Sequence, residues 1–196
     1  ILGAVAVLSW TAYRRVTEDL ALERNRDRSN LLANQLSTEL TGYVSLLASF
    51  ASTPELLQEN TPLDWQAWLE DHWQPDQLQV FDAGVVLLDQ EGHVIAAVPE
   101  ALGIMGDDWR DLLPTAGAMA RYSNLLTDKI PDRQVIALSL LLPWQGKEPN
   151  RAIVGLFRAE RGATRVSALY QDIWGLYIGR EREYLVDQHG RALFYP

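Results

Sequence analysis

The side chains that most often carry out chemistry in enzymes are few in this chain and stand far apart. Its three histidines are His72, His93 and His189, and no two have the close spacing that places metal ligands on one helix face. Cysteine is absent, which excludes cysteine zinc sites, thiolate nucleophiles and iron–sulfur clusters. No serine-nucleophile elbow, phosphate-binding glycine loop or dinucleotide fingerprint occurs. No motif supports an enzyme, so we expect no catalytic residues, no metal and no cofactor.

Composition and charge narrow the class of protein further. The chain has 196 residues, of which 47% are hydrophobic and 22% charged, as in one or two folded soluble domains. The formal net charge of −9 argues against nucleic-acid binding, because phosphate recognition needs a basic face.

One phrase of the sequence occurs twice, at residues 85–97 and again at 183–195. Each copy is an apolar run, an Asp-x-x-Gly turn (Asp89 to Gly92, Asp187 to Gly190) and a second apolar run. Aspartate can hydrogen-bond its own backbone and glycine accepts positive φ, so each copy predicts a β-hairpin. We expect one complete module and the beginning of a second.

The N-terminal residues 1–13 carry no charge and end on aromatic residues before Arg14 and Arg15. A spanning helix needs about 20 apolar residues, so these are too few by themselves. We predict a partial transmembrane helix at 1–13. A signal-peptide remnant and a buried core helix are the alternatives. Arg14 and Arg15 would favour the cytoplasmic side of a membrane, but orientation depends on the charges on both sides of a span. The orientation of this segment is therefore left open.

Between Arg14 and about residue 58 the only helix-breaking residues are Gly42 and Pro54, and no proline occurs before Pro54. A long helix is therefore predicted over this range. Its apolar residues form one stripe at spacings of three and four: Leu32, Leu36, Leu40, Tyr43, Leu47 and Phe50. We interpret residues 14–60 as a stalk that couples a membrane to a sensor, with a dimer contact as an option. A long surface helix without a signalling role is the alternative.

A second helix is predicted to start at Thr61 as N-cap with Pro62 in its first turn. Trp65, Trp68 and Trp73 follow on one face. Core packing is favoured for them over an aromatic ligand cage.

The remaining pattern predicts a hairpin at 83–98, an irregular crossover at 100–133, paired strands at 134–142 and 152–157, and a helix at 164–177. Glycines and prolines interrupt the crossover repeatedly. The fold class is therefore α+β, with a long N-terminal helix and helices packed on an antiparallel sheet.

The order of these elements resembles the double Cache family of extracytoplasmic, PAS-like sensor domains. The likeness rests on residues 84–96, 135–143, 153–156 and 184–193. It implies a membrane-distal Cache module at 61–178, and at 179–196 the truncated start of a membrane-proximal one.

In that family the ligand pocket lies between the sheet and the crossover, here about residues 100–139. The resemblance therefore implies a set of ligand-binding candidates: Trp109, Arg110, Arg121, Tyr122, Ser123 and Asp128. Arginine can grip a carboxylate, aspartate an ammonium group, and aromatic rings can wall an apolar pocket. As alternatives, Asp107 and Asp108 cap a helix, Trp109 belongs to the core, and the arginines are solvated. The Arg-x-Trp-Tyr phrase of the amino-acid-binding branch is absent, and Leu126 replaces its tyrosine, so amino-acid binding is not predicted.

The resemblance thus implies a small-molecule sensor domain of a membrane-anchored signal transducer, such as a histidine kinase, chemoreceptor or cyclic-nucleotide enzyme. The domain would be periplasmic or extracellular at the cell inner membrane, with a homodimer through the stalk as an option. Any catalysis would belong to a cytoplasmic output domain. The alternative function is a ligand-free dimerisation or partner-docking domain.

Overall fold

The computed structural model describes residues 2–53, 56, 64–72, 80–115, 118–142, 151–159, 169, 185–186, 189–190 and 192–194. The chain divides into two compact units, Ile1–Glu39 and Leu40–Pro196. The first unit is helical from Leu2. Among the described residues no helix has an apolar stretch long enough to cross a bilayer. The partial membrane helix at 1–13 stays a prediction.

The first helix, α1, covers Leu2–Ala51, so the helix predicted to reach residue 58 was too long at its C-terminal end. Pro54 follows closely, and a proline disfavours helical geometry in the residue before it. Ser52 Oγ donates to the Ala48 carbonyl at 2.8 Å, which satisfies one of the last carbonyls of the helix. Of the predicted stripe, Tyr43 and Leu47 are buried, and the other four residues are partly buried: Leu32, Leu36, Leu40 and Phe50.

The second helix, α2, covers Trp65–His72. Asp64 caps it, because its Oδ1 accepts the backbone N–H groups of Gln66 at 3.1 Å and Ala67 at 3.2 Å. The predicted cap was Thr61, which lies outside the described residues together with Trp73. Trp68 is buried in the core, which confirms packing for this tryptophan.

Five strands form one antiparallel sheet, which confirms the α+β class. Their bounds are β1 Gly84–Asp89, β2 Val94–Val98, β3 Ala120–Tyr122, β4 Val135–Leu141 and β5 Arg151–Arg158. Their order across the sheet is β2-β1-β5-β4-β3. Strand β3 was not predicted from the sequence; it pairs with β4 so that Arg121 lies opposite Ser139. Three residues are too few to show a periodic pattern.

The repeated phrase forms two hairpins in separate sheets, as predicted. In the first, Asp89 Oδ1 accepts the N–H groups of Glu91 at 3.0 Å and His93 at 2.8 Å. The second consists of β6 (Leu185–Val186) and β7 (Ala192–Phe194). The predicted helix at 164–177 lies outside the described residues, except Leu169, which is buried.

The five-stranded sheet has an apolar layer on each face. We call the layer against α1 and α2 the helix-side core; it includes Leu47, Trp68, Phe81, Leu138 and Phe157. We call the layer under the crossover, residues 99–134, the crossover-side core; it includes Val86, Leu102, Trp109, Ala137 and Val154. Side chains along a strand alternate between faces, so β4 contributes to both layers.

Candidate functional site between the sheet and the crossover

The crossover is fastened to the first hairpin by backbone hydrogen bonds. Val94 N–H donates to the Asp107 carbonyl at 3.0 Å, and Gly106 N–H returns to the Val94 carbonyl at 2.9 Å. Trp109 N–H donates to the Gly92 carbonyl at 2.8 Å. Gly92 has φ of 89°, and a Cβ there would lie 2.5 Å from Arg110 Cα. The Asp-x-x-Gly turn therefore both closes the hairpin and seats the crossover.

Trp109 is fully buried in the crossover-side core. It is the only aromatic residue of that layer among the described residues, and the other members of the layer are aliphatic. Its Nε1 is buried and has no hydrogen-bond partner in the described part of the chain. A buried donor without an acceptor costs about 1–3 kcal/mol. Trp109 therefore belongs to the core, as the alternative interpretation held, but with one polar atom unsatisfied.

Arg110 and Arg121 are exposed, and both donate to backbone carbonyls. Arg110 Nε donates to the Glu91 carbonyl at 3.0 Å, across to the hairpin turn. Arg121 Nη1 donates to the carbonyls of Asp111 at 2.9 Å and Leu113 at 3.3 Å. Arg110 thus connects the segment 107–113 to the turn of the first hairpin, and Arg121 connects the same segment to β3.

Lys129 adds a third fastening of the same segment. Its Nζ lies 2.7 Å from Asp111 Oδ1 and donates to the Asp108 carbonyl at 3.1 Å. The side chain of Lys129 is only 18% exposed, whereas Asp111 is largely open to solvent. Lys129 was not among the predicted residues, because no sequence pattern distinguishes a lysine that holds a loop from one that is solvated.

Asp108 has a local role in the backbone. Its Oδ1 accepts the Arg110 N–H at 3.0 Å, and this bond starts the short 3₁₀ turn Arg110–Leu112. That backbone hydrogen bond lowers the pKa of the Asp108 carboxyl, helped by the nearby charges of Arg110, His93 and Lys129. The N-cap residue of this turn is Trp109, which has no side-chain cap hydrogen bond, so Asp107 and Asp108 are not the predicted N-cap pair. Asp108 supports the turn from one residue before the cap.

Tyr122 and Ser123 do not face the crossover-side core with their polar groups. Tyr122 Oη donates to the Leu40 carbonyl of α1 at 2.7 Å, on the helix side of the sheet. Burial raises the pKa of the Tyr122 phenol above its ordinary value. Ser123 Oγ accepts the Ala137 N–H at 2.8 Å and donates to the Asn124 carbonyl at 2.7 Å, so it extends the pairing of β3 with β4.

The six predicted residues therefore do not converge on one point. Trp109 lies inside the crossover-side core, Arg110, Arg121 and Asp128 are exposed, and the hydroxyls of Tyr122 and Ser123 bond backbone groups. Ser139 was not among the predicted residues; it is 1% exposed and is the buried polar residue of the described sheet. The serine within the apolar run of β4 was the signal that could have found it.

No protein-family model matches this chain, and no curated protein matches it. Several solved structures share its fold. One is the ligand-binding domain of the Pseudomonas fluorescens chemoreceptor CtaA in complex with L-serine, at 16% identity and a TM-score of 0.55, covering 85% of this chain and 68% of that one. Another is the ligand-binding domain of the Pseudomonas aeruginosa PAO1 amino-acid chemoreceptor PctC in complex with GABA, at 21% identity and a TM-score of 0.55, covering 85% and 74%.

A third is the ligand-binding domain of Pseudomonas aeruginosa PAO1 PctB in complex with L-Gln, at 17% identity and a TM-score of 0.52, covering 72% of this chain and 57% of that one. These ligand-binding domains are of the Cache type, and this chain shares their fold. The resemblance to the Cache family is confirmed at the level of the fold. In this chain the crossover covers one face of the sheet, with Trp109 in the layer beneath it, and Arg121 of β3 lies opposite Ser139 of β4.

Proposed function

We propose that this chain is the extracytoplasmic ligand-sensing region of a membrane-anchored signal transducer, and that a small molecule binds between the sheet and the crossover. The observation that carries this proposal is the Cache-type fold shared with three chemoreceptor ligand-binding domains. The uncharged N-terminal segment is consistent with a membrane anchor. Any catalytic output belongs to another part of such a transducer.

A physical link between the binding region and α1 supports the proposal. Arg121 and Tyr122 are neighbours in β3, so their side chains point to opposite faces of the sheet. Arg121 holds the crossover at Asp111 and Leu113, while Tyr122 holds α1 at Leu40. A ligand that shifts the crossover would therefore act on α1 through one short strand. The shift can be no larger than the ligand's difference in affinity between the two arrangements allows.

Dimerisation through α1 is the second candidate function, and a separate observation favours it. Large apolar side chains of the first unit are exposed on α1, namely Tyr13, Val16, Leu20, Leu22 and Leu31. Tyr13, Val16 and Leu20 follow at spacings of three and four, so they share one face of the helix. Such a face fits a second helix.

Thermal-shift measurements on the purified chain test the sensor function. The compounds are carboxylates, amines, purines and neutral carbonyl compounds, each at millimolar concentration. We expect at least one to raise the melting temperature, because a ligand at 100 times its Kd stabilises by about 2.7 kcal/mol. No stabilisation by any compound, together with a concentration-dependent dimer in sedimentation, would favour the docking function instead.

A further inference from the structure

Trp109 Nε1 is a buried polar atom that the fold leaves without a partner among the described residues. An indole N–H is a donor only, so it needs an acceptor. The side chains of the crossover-side core are aliphatic apart from Trp109 itself, and carbon offers none. The backbone of Trp109 is fixed on both sides, by its N–H on Gly92 and by the Leu112 N–H on its carbonyl at 2.8 Å.

Trp68 Nε1 also has no conventional partner in the described residues, but its surroundings differ. The Trp68 ring lies edge-on to Trp65 at a centroid distance of 6.2 Å and tilted to Phe50 at 5.6 Å. Aromatic faces are weak acceptors for an N–H group. Trp68 therefore lies among such faces, whereas the other described members of the layer that contains Trp109 are aliphatic.

The sheet opposite the crossover presents short side chains on three different strands: Ala97 on β2, Ala137 on β4 and Ala152 on β5. Ser139 follows Ala137 on the same face, because alternate residues of a strand share a side. The other face of β4 carries Ile136, Leu138 and Leu140 instead. At Ala137 and Ser139, β4 therefore carries shorter side chains on its crossover side than on its helix side. One of them, Ser139, has a buried hydroxyl group.

Charged side chains of the described crossover stay at its surface or are already paired. Arg110 and Arg121 are exposed and donate to carbonyls, and Lys129 is paired with Asp111. Arg133 is partly buried just before β4. No carboxylate or ammonium group of the described crossover is buried in the layer beside Trp109. On the sheet, Arg158 at the end of β5 shares the face of Val154 and Leu156 and has a buried Nε, and its backbone N–H donates to Asp82 Oδ1 at 2.9 Å. A fully buried ionic ligand would therefore find no counter-charge on the described crossover itself.

We infer that the layer binds a small, uncharged and largely apolar molecule whose oxygen or nitrogen accepts a hydrogen bond from Trp109 Nε1. Ser139 Oγ is the second polar group of this site. The inference rests on the proposed sensor function and specifies its ligand class. It separates this chain from the neighbours solved with L-serine, GABA and L-Gln, which are zwitterionic molecules.

The direct test follows the indole N–H signals of the chain by ¹H–¹⁵N NMR. The seven tryptophans give up to seven such signals, and Trp109→Phe identifies the one from Trp109. The probes are isovaleramide, which is neutral with a carbonyl, isovalerate, which has the same shape and a charge, and 2-methylpentane, which has no acceptor. L-Serine and GABA are added as zwitterionic probes.

We expect isovaleramide to move the Trp109 signal downfield in a saturable way, with the Trp68 signal unchanged and with isovalerate at least tenfold weaker. A saturable response to isovalerate, L-serine or GABA but not to isovaleramide overturns the ligand class and leaves the sensor function standing. If no probe moves the Trp109 signal while thermal shifts identify a ligand, the site is wrong and the function is not. If no compound binds in either assay, both proposals fail.

A second variant makes the test independent of Trp109→Phe. Ala137→Leu extends a side chain into the proposed site, and Ala96→Leu makes the same change in the helix-side core, where Ala96 is fully buried. We expect Ala137→Leu to abolish the isovaleramide response and to lower the melting temperature less than Ala96→Leu does. An equal loss of melting temperature in both variants would show a filled layer and overturn the inference.

Discussion

The two faces of the five-stranded sheet are covered in different ways. On the helix side, aromatic rings contact one another, with Phe157 at 5.0 Å from Phe81 and 5.2 Å from Tyr43 between ring centroids. On the crossover side, one tryptophan lies among aliphatic and short side chains. Rings in contact fix relative positions, because their geometry is specific. Short aliphatic chains impose fewer such constraints. Under the proposed function, the helix side is the scaffold and the crossover side is the adaptable face, which accommodates a ligand.

The side-chain hydrogen bonds on the two faces also differ in their exposure to solvent. On the helix side, the Gln66 side chain pairs with both backbone groups of Ala97 at 3.0 Å, and Tyr122 reaches the Leu40 carbonyl. Both contacts are partly buried. On the crossover side, Arg110 and Arg121 make their bonds at the exposed rim. Exposed charged contacts contribute little, so these two arginines add little to the backbone hydrogen bonds that fasten the crossover to the first hairpin.

Matched leucine substitutions give the largest expected contrast between the faces. Leu47→Ala on the helix side should lower the free energy of unfolding by about 4 kcal/mol, because surrounding rings cannot close the cavity. Leu102→Ala on the crossover side should lower it by about 2 kcal/mol, since a loop can collapse. Urea unfolding of both variants measures this difference. Equal losses would contradict the division into scaffold and adaptable face.

Gly155→Ala should destabilise the helix side by about 2–3 kcal/mol. A Cβ at Gly155 would overlap the ring of Phe81, which lies directly on β5. The matched control is Gly42→Ala in α1, where a Cβ would meet nothing within 4 Å. That change should stabilise by up to about 1 kcal/mol, because alanine favours helix over glycine. Unfolding by guanidinium chloride measures both, and a tolerated Gly155→Ala would mean that Phe81 packs loosely.

Gln66→Ala should lower the free energy of unfolding by about 1–2 kcal/mol. The substitution leaves the N–H and carbonyl of Ala97 without the side-chain partner on the outer edge of β2. Gln66→Glu is the more specific variant, since it keeps the length of the side chain but loses the N–H donor to the Ala97 carbonyl. Hydrogen exchange at the Ala97 amide, followed by NMR, should accelerate in Gln66→Ala. An unchanged exchange rate would show that α2 shields this edge without the glutamine.

Tyr122→Phe gives the smallest of these effects, about 1 kcal/mol, through loss of the bond to Leu40. It also has a pH signature. Burial raises the pKa of Tyr122, so its contribution is complete below the ordinary tyrosine pKa of about 10 and falls as the pH rises above that value. The difference in stability between the parent chain and Tyr122→Phe should therefore shrink between about pH 10 and 11. A constant difference over this range would contradict the buried phenol.

The sequence predicted the elements whose signals are local. The first hairpin follows from the Asp89 side chain and Gly92, which build the turn within five residues of chain. The pair β4 and β5 follows from two apolar runs around a polar turn. The interior residues of α1 follow from a stripe at helical spacing, while its end at Ala51 was misplaced because proline exerts its effect before its own position.

The candidate site was only partly predictable from the sequence. Trp109 and Arg121 were singled out as candidates. The pattern did not indicate that the Nε1 atom of Trp109 is buried with no partner in the described part of the chain, or that Arg121 donates to carbonyls at the exposed rim. Ser139 was visible as a polar residue in an apolar run, but its side of the sheet depends on strand register. Register is set by pairing between segments distant in sequence.

The sequence by itself determined the class of elements, the two hairpins and the apolar stripe of α1, because turn chemistry and periodicity act between near neighbours. The tertiary structure alone decided that β3 exists, since its three residues are held by the edge of β4 and not by their own pattern. It also placed Arg121 and Tyr122 on opposite faces, with the tyrosine bonded to a residue 82 positions away. Hydrogen-bond partners at that separation are chosen by packing, which no local pattern records.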